Sequence, residues 1–371
     1  MIKFSDLQEI NKPYAEELKA AAAEVIDSGR YLFGPKVIEL ERALEAYLSI
    51  DHVVTVGNGL DALRLILQAY LERGDFKKGD EVLLPANTYI ATFLSISQVG
   101  LVPVPIEPNL ESYNLDVSQL ESKITTKTKA IVPVHLYGRV CWDEKLVDLS
   151  KKYSLKIIED NAQAFGAVWN KWKTGTLGHA GACSFFPSKN LGALGDAGAI
   201  TTEDPELADI IRSLANYGSK NKYHNPYKGI NSRMDEMQAA FLKVKLKYLD
   251  QENQWRRKLA QAYLDNIVNP EVVLPLMDNV ENNASHVWHL FVIRYANRDK
   301  LKDYLLKKGV QTQIHYPIPP HRQAAYREFD GLSLPNTEKI HQEVLSLPLD
   351  PSLSVEQVKE VAALINEFQI C

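Results

Sequence analysis

The sequence predicts an α/β protein: a large, mostly parallel sheet domain followed by a small α+β domain at the carboxyl end. Three observations predict it. Short β-branched runs alternate with amphipathic helical stretches from His52 onward, the signature of a parallel sheet covered on both faces. Glycine or polar residues follow several of those runs, at the strand ends where ligands sit in open α/β sheets. Beyond residue 264 that alternation gives way to a period-two segment, His286–Arg294, and a short helix.

In order, Glu16–Ser28 reads as an amphipathic helix closed by Gly29. Arg30-Tyr31-Leu32-Phe33-Gly34-Pro35 is an aromatic link, either a core-packed connector or a substrate contact through Tyr31, and a helix over Val37–Leu48 follows. His52–Val56 is a strand that runs into Gly57-Asn58-Gly59-Leu60-Asp61-Ala62 and a helix. Val82–Leu84 is a strand ending in Pro85-Ala86-Asn87-Thr88-Tyr89, and Val102–Ile106 is another. Ala130–Gly138 reads as a buried strand with its exit loop, in which His135 is taken as structural. Asp143–Tyr153 is a helix, and Leu155–Asp160 is a strand with a carboxylate at its end. Pro205–Ala215 is a helix, and 216–225 is a polar, aromatic loop holding Tyr217 and Tyr223. The stretch Gly229–Ala240, with Asn231, starts another helix, and Phe241–Leu264 is expected to form one long helix leaving the large domain. The domains are therefore placed at 1–248 and 249–371. In the second, His286–Arg294 and Val310–Tyr316 are expected strands, Asp299–Lys308 and Ser354–Glu367 helices, and His315 and His321 flank a proline-stiffened loop.

The chemistry centres on Ser184–Ile200, S-F-F-P-S-K-N-L-G-A-L-G-D-A-G-A-I. Lys189 is flanked there by Phe185, Phe186 and Leu191 and followed by three glycines. Burial among apolar groups lowers an amine's pKa and makes it a nucleophile. Asp160 lies 29 residues earlier. A strand-end acid followed by a lysine in a glycine-rich loop suits pyridoxal phosphate: the lysine forms an imine, and the aspartate keeps the pyridine nitrogen protonated. The alternative reading of Lys189 is a solvated loop lysine.

Gly57–Ala62 also fits the dinucleotide pattern G-x-G-x-x-A on a strand–turn–helix. That reading needs an acid at the end of the next strand. Asp80 and Glu81 precede that strand instead, so the turn is better suited to one phosphate on free helix-terminal amides at Gly59 and Leu60. An NAD-binding oxidoreductase stays as the remote alternative. Tyr89, just past a strand end, is placed to cover a flat ring or to pack in the core.

Composition narrows the classes. Hydrophobic residues make up 45% and charged residues 24%, and 42 basic against 47 acidic residues give a net charge of −5. No basic footprint for nucleic acid is present. Cys141, Cys183 and Cys371 are too few and scattered for a disulfide framework or a metal site. The opening residues lack a secretory pattern and no apolar run would span a bilayer, so a cytoplasmic protein without membrane contact is expected.

The segments I-I-E-D-N-A-Q-A-F-G-A and S-F-F-P-S-K-N-L-G-A-L-G-D-A-G-A-I resemble the DegT/DnrJ/EryC1/StrS family of sugar aminotransferases. The resemblance extends from about Phe4 to Pro348. It implies the type I aspartate-aminotransferase fold and a pyridoxal phosphate cofactor that cycles with pyridoxamine phosphate. It implies that Lys189 carries the cofactor and moves the proton, Asp160 holds the ring nitrogen, Gln163 meets the phenolic oxygen, Tyr89 stacks and Ser184 binds phosphate. Asn231 would reach the neighbour's phosphate, making a homodimer with shared active sites. Tyr31, Tyr217 and Tyr223 become candidate substrate contacts; His315 and His321, on their proline-stiffened loop, are candidate sugar or nucleotide contacts or structural residues. Two positions depart from the pattern: Leu60 cannot supply the hydroxyl often found there, and Phe186 cannot move protons as His or Tyr would. The segments N-Y-G-S-K-N-K-Y-H-N, G-I-N-S-R-M-D-E-M-Q-A-A-F and I-H-Y-P-I-P-P-H resemble the branch acting on dTDP-3-keto-6-deoxyhexoses. L-Glutamate would be the donor. The product would be a dTDP-3-amino-3,6-dideoxyhexose, galacto or gluco, for a glycoside or a surface polysaccharide such as lipopolysaccharide O-antigen. A 4-aminotransferase on a UDP- or dTDP-4-keto sugar is the alternative within the fold. A dehydratase is disfavoured, because dehydratases of the family replace the lysine with histidine.

Overall fold

The computed structural model describes residues 1–221, 223–276 and 284–369; Lys222 of the 216–225 loop and Cys371 lie outside them. Strands β1 (His52–Val56), β2 (Glu81–Pro85), β3 (Val102–Ile106), β4 (Thr128–Ile131) and β5 (Lys156–Asp160) come first. A hairpin of β6 (Val168–Trp169) and β7 (Trp172–Lys173) follows, then β8 (Ala180–Ser184) and β9 (Gly198–Thr202). The large sheet has seven strands in the order β1-β9-β8-β5-β4-β2-β3. All run one way except β9, which is antiparallel to both neighbours. The reversal is forced by connection: β8 and β9 are joined by the lysine loop alone, and a parallel partner would need a crossover.

The strands alternate in sequence with helices, as the pattern required. The helix Gly59–Arg73 packs on the sheet with Ile90–Gln98 and Pro205–Leu214, and their apolar faces share one core with Val54, Val82, Ile158 and Ile200. Leu40 and Leu44 of the helix Pro35–Leu48 belong to a second core with Phe165, Phe185 and Leu191. Glu236 closes the start of that helix. Its carboxylate accepts from the amides of Gly34, Lys36 and Val37 at 2.8–3.1 Å, which pins the aromatic link before it. A separate core gathers Leu259, Tyr263, Phe291, Leu301, Leu347, Val358 and Ile365, with Ile2 from the chain start. It is built on β10 (Phe291–Arg294), antiparallel to β11 (Val344–Leu347), and on helices Leu249–Asn266, Arg298–Lys307 and Val355–Glu367.

Four expectations are corrected. The long helix expected over Phe241–Leu264 is two helices, Glu236–Leu246 and Leu249–Asn266. Between them the Lys247 and Tyr248 amides make i−3 bonds, while the Tyr248 ring packs on Tyr14 and its hydroxyl bonds to Glu17. Val310–Tyr316 is not a strand; it makes single bridges, Val310 to Ile2 and Gln313 to Ser346. His286–Leu290 is likewise irregular, because it docks on the loop at Tyr137 and Gly138 before β10 begins. β4 stops at Ile131, short of Pro133, which has no amide to give the ladder. Among the described residues no helix is long and apolar enough to cross a membrane.

Candidate active site

The carboxyl ends of β5 and β8, the start of the helix after β1 and the start of the helix after β2 converge on one cavity of about 440 Å³. Gly59, Leu60, Tyr89, Asp160, Gln163, Ser184, Lys189 and His315 all line it.

Asp160 is buried at the last position of β5. Thr92 Oγ1 donates to its Oδ2 at 2.8 Å, and the Ala162 amide donates to Oδ1 at 3.2 Å. Thr88 Oγ1 lies 2.8 Å from Thr92 Oγ1. Because a carboxylate only accepts, Thr92 spends its hydrogen on Asp160 and Thr88 donates to Thr92. Burial raises the Asp160 pKa, opposed by Thr92, the Ala162 amide and the Lys189 charge.

Lys189 sits in a turn closed by its amide on the Phe186 carbonyl at 2.8 Å. The loop is tied across its base by Phe185 N to Ala197 O, also 2.8 Å, and Phe185 is buried edge-on against Phe165. Burial pulls the amine down to about 8, with Asp160 pulling the other way. Phe186 lines the cavity with a half-exposed ring and brings no proton-moving group.

The helix Gly59–Arg73 opens toward the cavity. Of its first four amides, Asp61 N goes to Asn58 Oδ1 at 2.8 Å and Ala62 N to the Asn58 carbonyl at 3.1 Å. The amides of Gly59 and Leu60 have no hydrogen-bond partner among the described residues, which leaves two donors at the positive end of a helix dipole. Ser184 lies directly against them: a Cβ on Gly59 would stand 2.6 Å from Ser184 Cβ. The cradle therefore requires glycine at this position and suits a phosphate.

Gln163 is buried with its amide orientation set, because Oε1 accepts from Tyr137 N at 2.7 Å. Its Nε2 donates to the Tyr316 hydroxyl at 3.1 Å and faces the cavity. The Tyr89 ring stands 5.1 Å from that of Tyr316, leaving half its surface exposed. His315 Nδ1 pairs with Ser346 Oγ at 2.8 Å, and burial, then Lys189, pushes the ring down to about 4.

Five sequence candidates lie elsewhere. Tyr31, Tyr217 and Tyr223 are exposed, and Asn231 is exposed beside a bridge to Asn216. Phe33 and Tyr217 face the Arg233 guanidinium at 5.1 and 5.5 Å. His321 is buried, paired with Glu338 at 3.2 Å, and does not line this cavity. His135 is buried with Glu159, in keeping with a structural reading. Sequence reasoning missed Thr92, His289 and Tyr316. Thr92 sits in the first turn of the helix Ile90–Gln98, and Thr88, which it contacts, lies just before that helix starts. The other two arrive on irregular backbone that sequence had assigned to strands.

The residues present fit pyridoxal phosphate: an amine, an opposing buried carboxylate and an amide cradle only glycine allows share one cavity. The cradle donors on this chain, two amides and a serine hydroxyl, are uncharged. No group of three or more His, Cys, Asp or Glu able to hold a metal occurs among the described residues.

Comparison with known proteins agrees. Residues 13–366 match the model of the DegT/DnrJ/EryC1/StrS aminotransferase family. The chain is 50% identical over 368 residues, 99% of both chains, to a dTDP-3-amino-3,6-dideoxy-alpha-D-galactopyranose transaminase of Aneurinibacillus thermoaerophilus. It is 42% identical over 371 residues, 99% of this chain and 96% of the relative, to a dTDP-3-amino-3,4,6-trideoxy-alpha-D-glucose transaminase of Streptomyces venezuelae. Among solved structures it resembles S. venezuelae DesV in complex with a ketimine intermediate, with a TM-score of 0.93, 42% identity, and 99% and 98% of the two chains covered. It also resembles Bacillus subtilis NtdA with bound cofactor PMP, with a TM-score of 0.88, 33% identity, and 98% and 85% covered. The architecture, the cavity and these matches together make the chain a member of the DegT/DnrJ/EryC1/StrS aminotransferase family.

Proposed function

We propose that this protein is a pyridoxal phosphate-dependent aminotransferase that moves the amino group of L-glutamate onto C3 of a dTDP-3-keto-6-deoxyhexose. The product is a dTDP-3-amino-3,6-dideoxyhexose made in the cytoplasm for a surface polysaccharide or glycoside. The observation that carries the reading is the pairing of Lys189, an amine held near neutrality, with the buried Asp160 carboxylate in one cavity. The two relatives named as 3-amino dTDP-sugar transaminases support the choice of C3 and of the nucleotide.

When bound, pyridoxal phosphate supplies an electron sink for the carbon that loses its proton. Asp160, its carboxylate aimed by Thr92 and the Ala162 amide, would keep a proton on the pyridine nitrogen. Lys189 would hold the cofactor and, as a neutral amine, would take and return the substrate proton. Gln163 would have its remaining Nε2 hydrogen for the phenolic oxygen, Tyr89 would cover a ring face, and Gly59, Leu60 and Ser184 would hold the phosphate. Their donors are uncharged, which supports completion of the site by a second copy through Asn231. Tyr31, Tyr217 and Tyr223, exposed on this chain, belong to that shared homodimer surface. Within each copy, residues 1–248 form the cofactor-binding domain, and 249–371 the smaller domain that brings His289, His315 and Tyr316 to the cavity.

The test is incubation of the purified protein with L-glutamate and dTDP- and UDP-linked 3-keto and 4-keto sugars. Amination of dTDP-3-keto sugar at C3, identified by mass and NMR, is expected. Amination at C4 would establish the alternative instead. Lys189→Ala should reduce turnover by at least about 10³-fold while leaving the fold intact; wild-type turnover in that variant sinks the mechanism.

A further inference from the structure

Lys189 and Asn190 leave the glycine-rich loop against the segment Val287–Leu290. Asn190 Nδ2 donates to the Val287 carbonyl at 3.0 Å and to Asn253 Oδ1 at 2.7 Å. One residue earlier, Lys189 Nζ lies 3.5 Å from His289 Nε2, at the outer limit of a hydrogen bond. The segment is fixed from its other side as well. Val287 N donates to the Gly138 carbonyl at 2.9 Å and Leu290 N to the Tyr137 carbonyl at 3.2 Å. Gly138 has φ +100°, and a Cβ on it would stand 2.7 Å from His289 N. The two backbones meet only because no side chain intervenes.

His289 is buried, and its Nδ1 has no partner among the described residues. Burial, then the Lys189 charge, holds the ring well below its ordinary pKa, so it is neutral at neutral pH. A neutral imidazole offers the amine a partner in either tautomer. The Nε2 lone pair accepts from an ammonium, or Nε2–H donates to a free amine. No other hydrogen bond to Nζ forms among the described residues. Nothing in the cofactor-binding roles above uses this histidine.

We propose that His289 is a positioning residue for Lys189: it receives Nζ whenever the amine is not covalently engaged and keeps it facing the cavity. The inference rests on Lys189 being the cofactor-bearing base. Without a partner the freed side chain would sample several rotamers, and the proton would be delivered from few of them.

The test starts with cofactor-free protein. Lysines are labelled competitively with acetic anhydride across a pH series, and Lys189 is read by peptide mass. The parent midpoint is expected at about 8. His289→Leu removes the acceptor for the ammonium and adds apolar surface, so its midpoint should fall by about one unit or more. His289→Gln carries an amide oxygen to where Nε2 stands and should hold the midpoint within about half a unit. His289→Asn, whose amide stops near the Nδ1 position, should behave like leucine. Asn and Gln are alike in polarity, so that pair decides even if the leucine variant does not fold. In the loaded enzyme, the Leu and Asn variants should lose about 10–100-fold in kcat with KM for glutamate within about twofold, and Gln should restore most of the loss. Equal midpoints in all four proteins, or a Gln variant as impaired as Asn, would overturn the proposal. The midpoint needs neither cofactor nor substrate, so its failure is distinct from failure of the transaminase reading, which wild-type turnover tests alone.

Discussion

Glu159 and Asp160 end the same strand one residue apart, and the pleat sends them to opposite faces. Glu159 is fully buried and meets four donors: His135 Nε2 at 2.8 Å, and the amides of Gly175, Leu177 and Gly178 at 2.7–2.8 Å. The Cys141 amide donates to His135 Nδ1 at 2.9 Å, which puts the ring proton on Nε2, toward Glu159. Asp160 has one hydroxyl and one amide, and opens on the cavity. One acid has its acceptor capacity filled by the fold; the other keeps some for a ligand. A carboxylate's surroundings, rather than its strand-end position, separate scaffold from chemistry.

Substitutions at the two positions break the comparison in opposite ways. Asp160→Asn should cost at least about 10²–10³-fold in turnover, because an amide cannot stabilise charge on the ring nitrogen. Its fold should survive: the amide oxygen accepts from Ala162 N, and the amide nitrogen donates to Thr92. In cofactor-free protein the Asn variant should even be the more stable at neutral pH. The folded pKa of Asp160 is raised, so the parent binds the proton more readily folded than unfolded. Its stability therefore falls as pH rises from the unfolded value through the folded one, and the Asn variant's advantage vanishes in acid. Urea unfolding at several pH values checks both statements.

Glu159→Ala should do the reverse. It strands three amides and an imidazole N–H in the interior, a loss of about 3–5 kcal/mol in urea unfolding. Any fall in activity should track the folded fraction; a stable but inactive variant would assign Glu159 to the chemistry. Thr92→Val sharpens the contrast with a smaller effect. One hydrogen bond to Asp160 disappears and Thr88 loses its acceptor, so cofactor affinity should drop by about 1 kcal/mol, or roughly fivefold, by equilibrium titration.

The sequence patterns reached this comparison halfway. β1 and β3 coincide with the runs read for them, and β5 differs by one residue, because β-branched stretches bounded by turn residues carry their own limits. Asp160, Lys189, Gly59 and Leu60 were read from a strand end, a glycine-rich loop and a helix-opening turn, whereas Gln163 and Ser184 were named only through the family resemblance. Glu159 passed unremarked: its partners come from 135 and 175–178, and nothing local marks that convergence. His289 and Tyr316 were hidden for a related reason. Their segments show period-two patterning, yet docking on Tyr137 and Gly138, and the bridge to Ser346, bend them out of any sheet. The break at Lys247–Tyr248 is likewise imposed by Tyr14 and Glu17, more than 200 residues away.

The lone reversed strand has a consequence of its own. Since β8 leaves the sheet at Ser184 and β9 re-enters opposite it at Gly198, the two feet of the lysine loop face each other on one rung of the ladder. With its anchor points fixed in the sheet, the loop registers Lys189 to the ladder, while the other segments that line the cavity come from elsewhere in the chain.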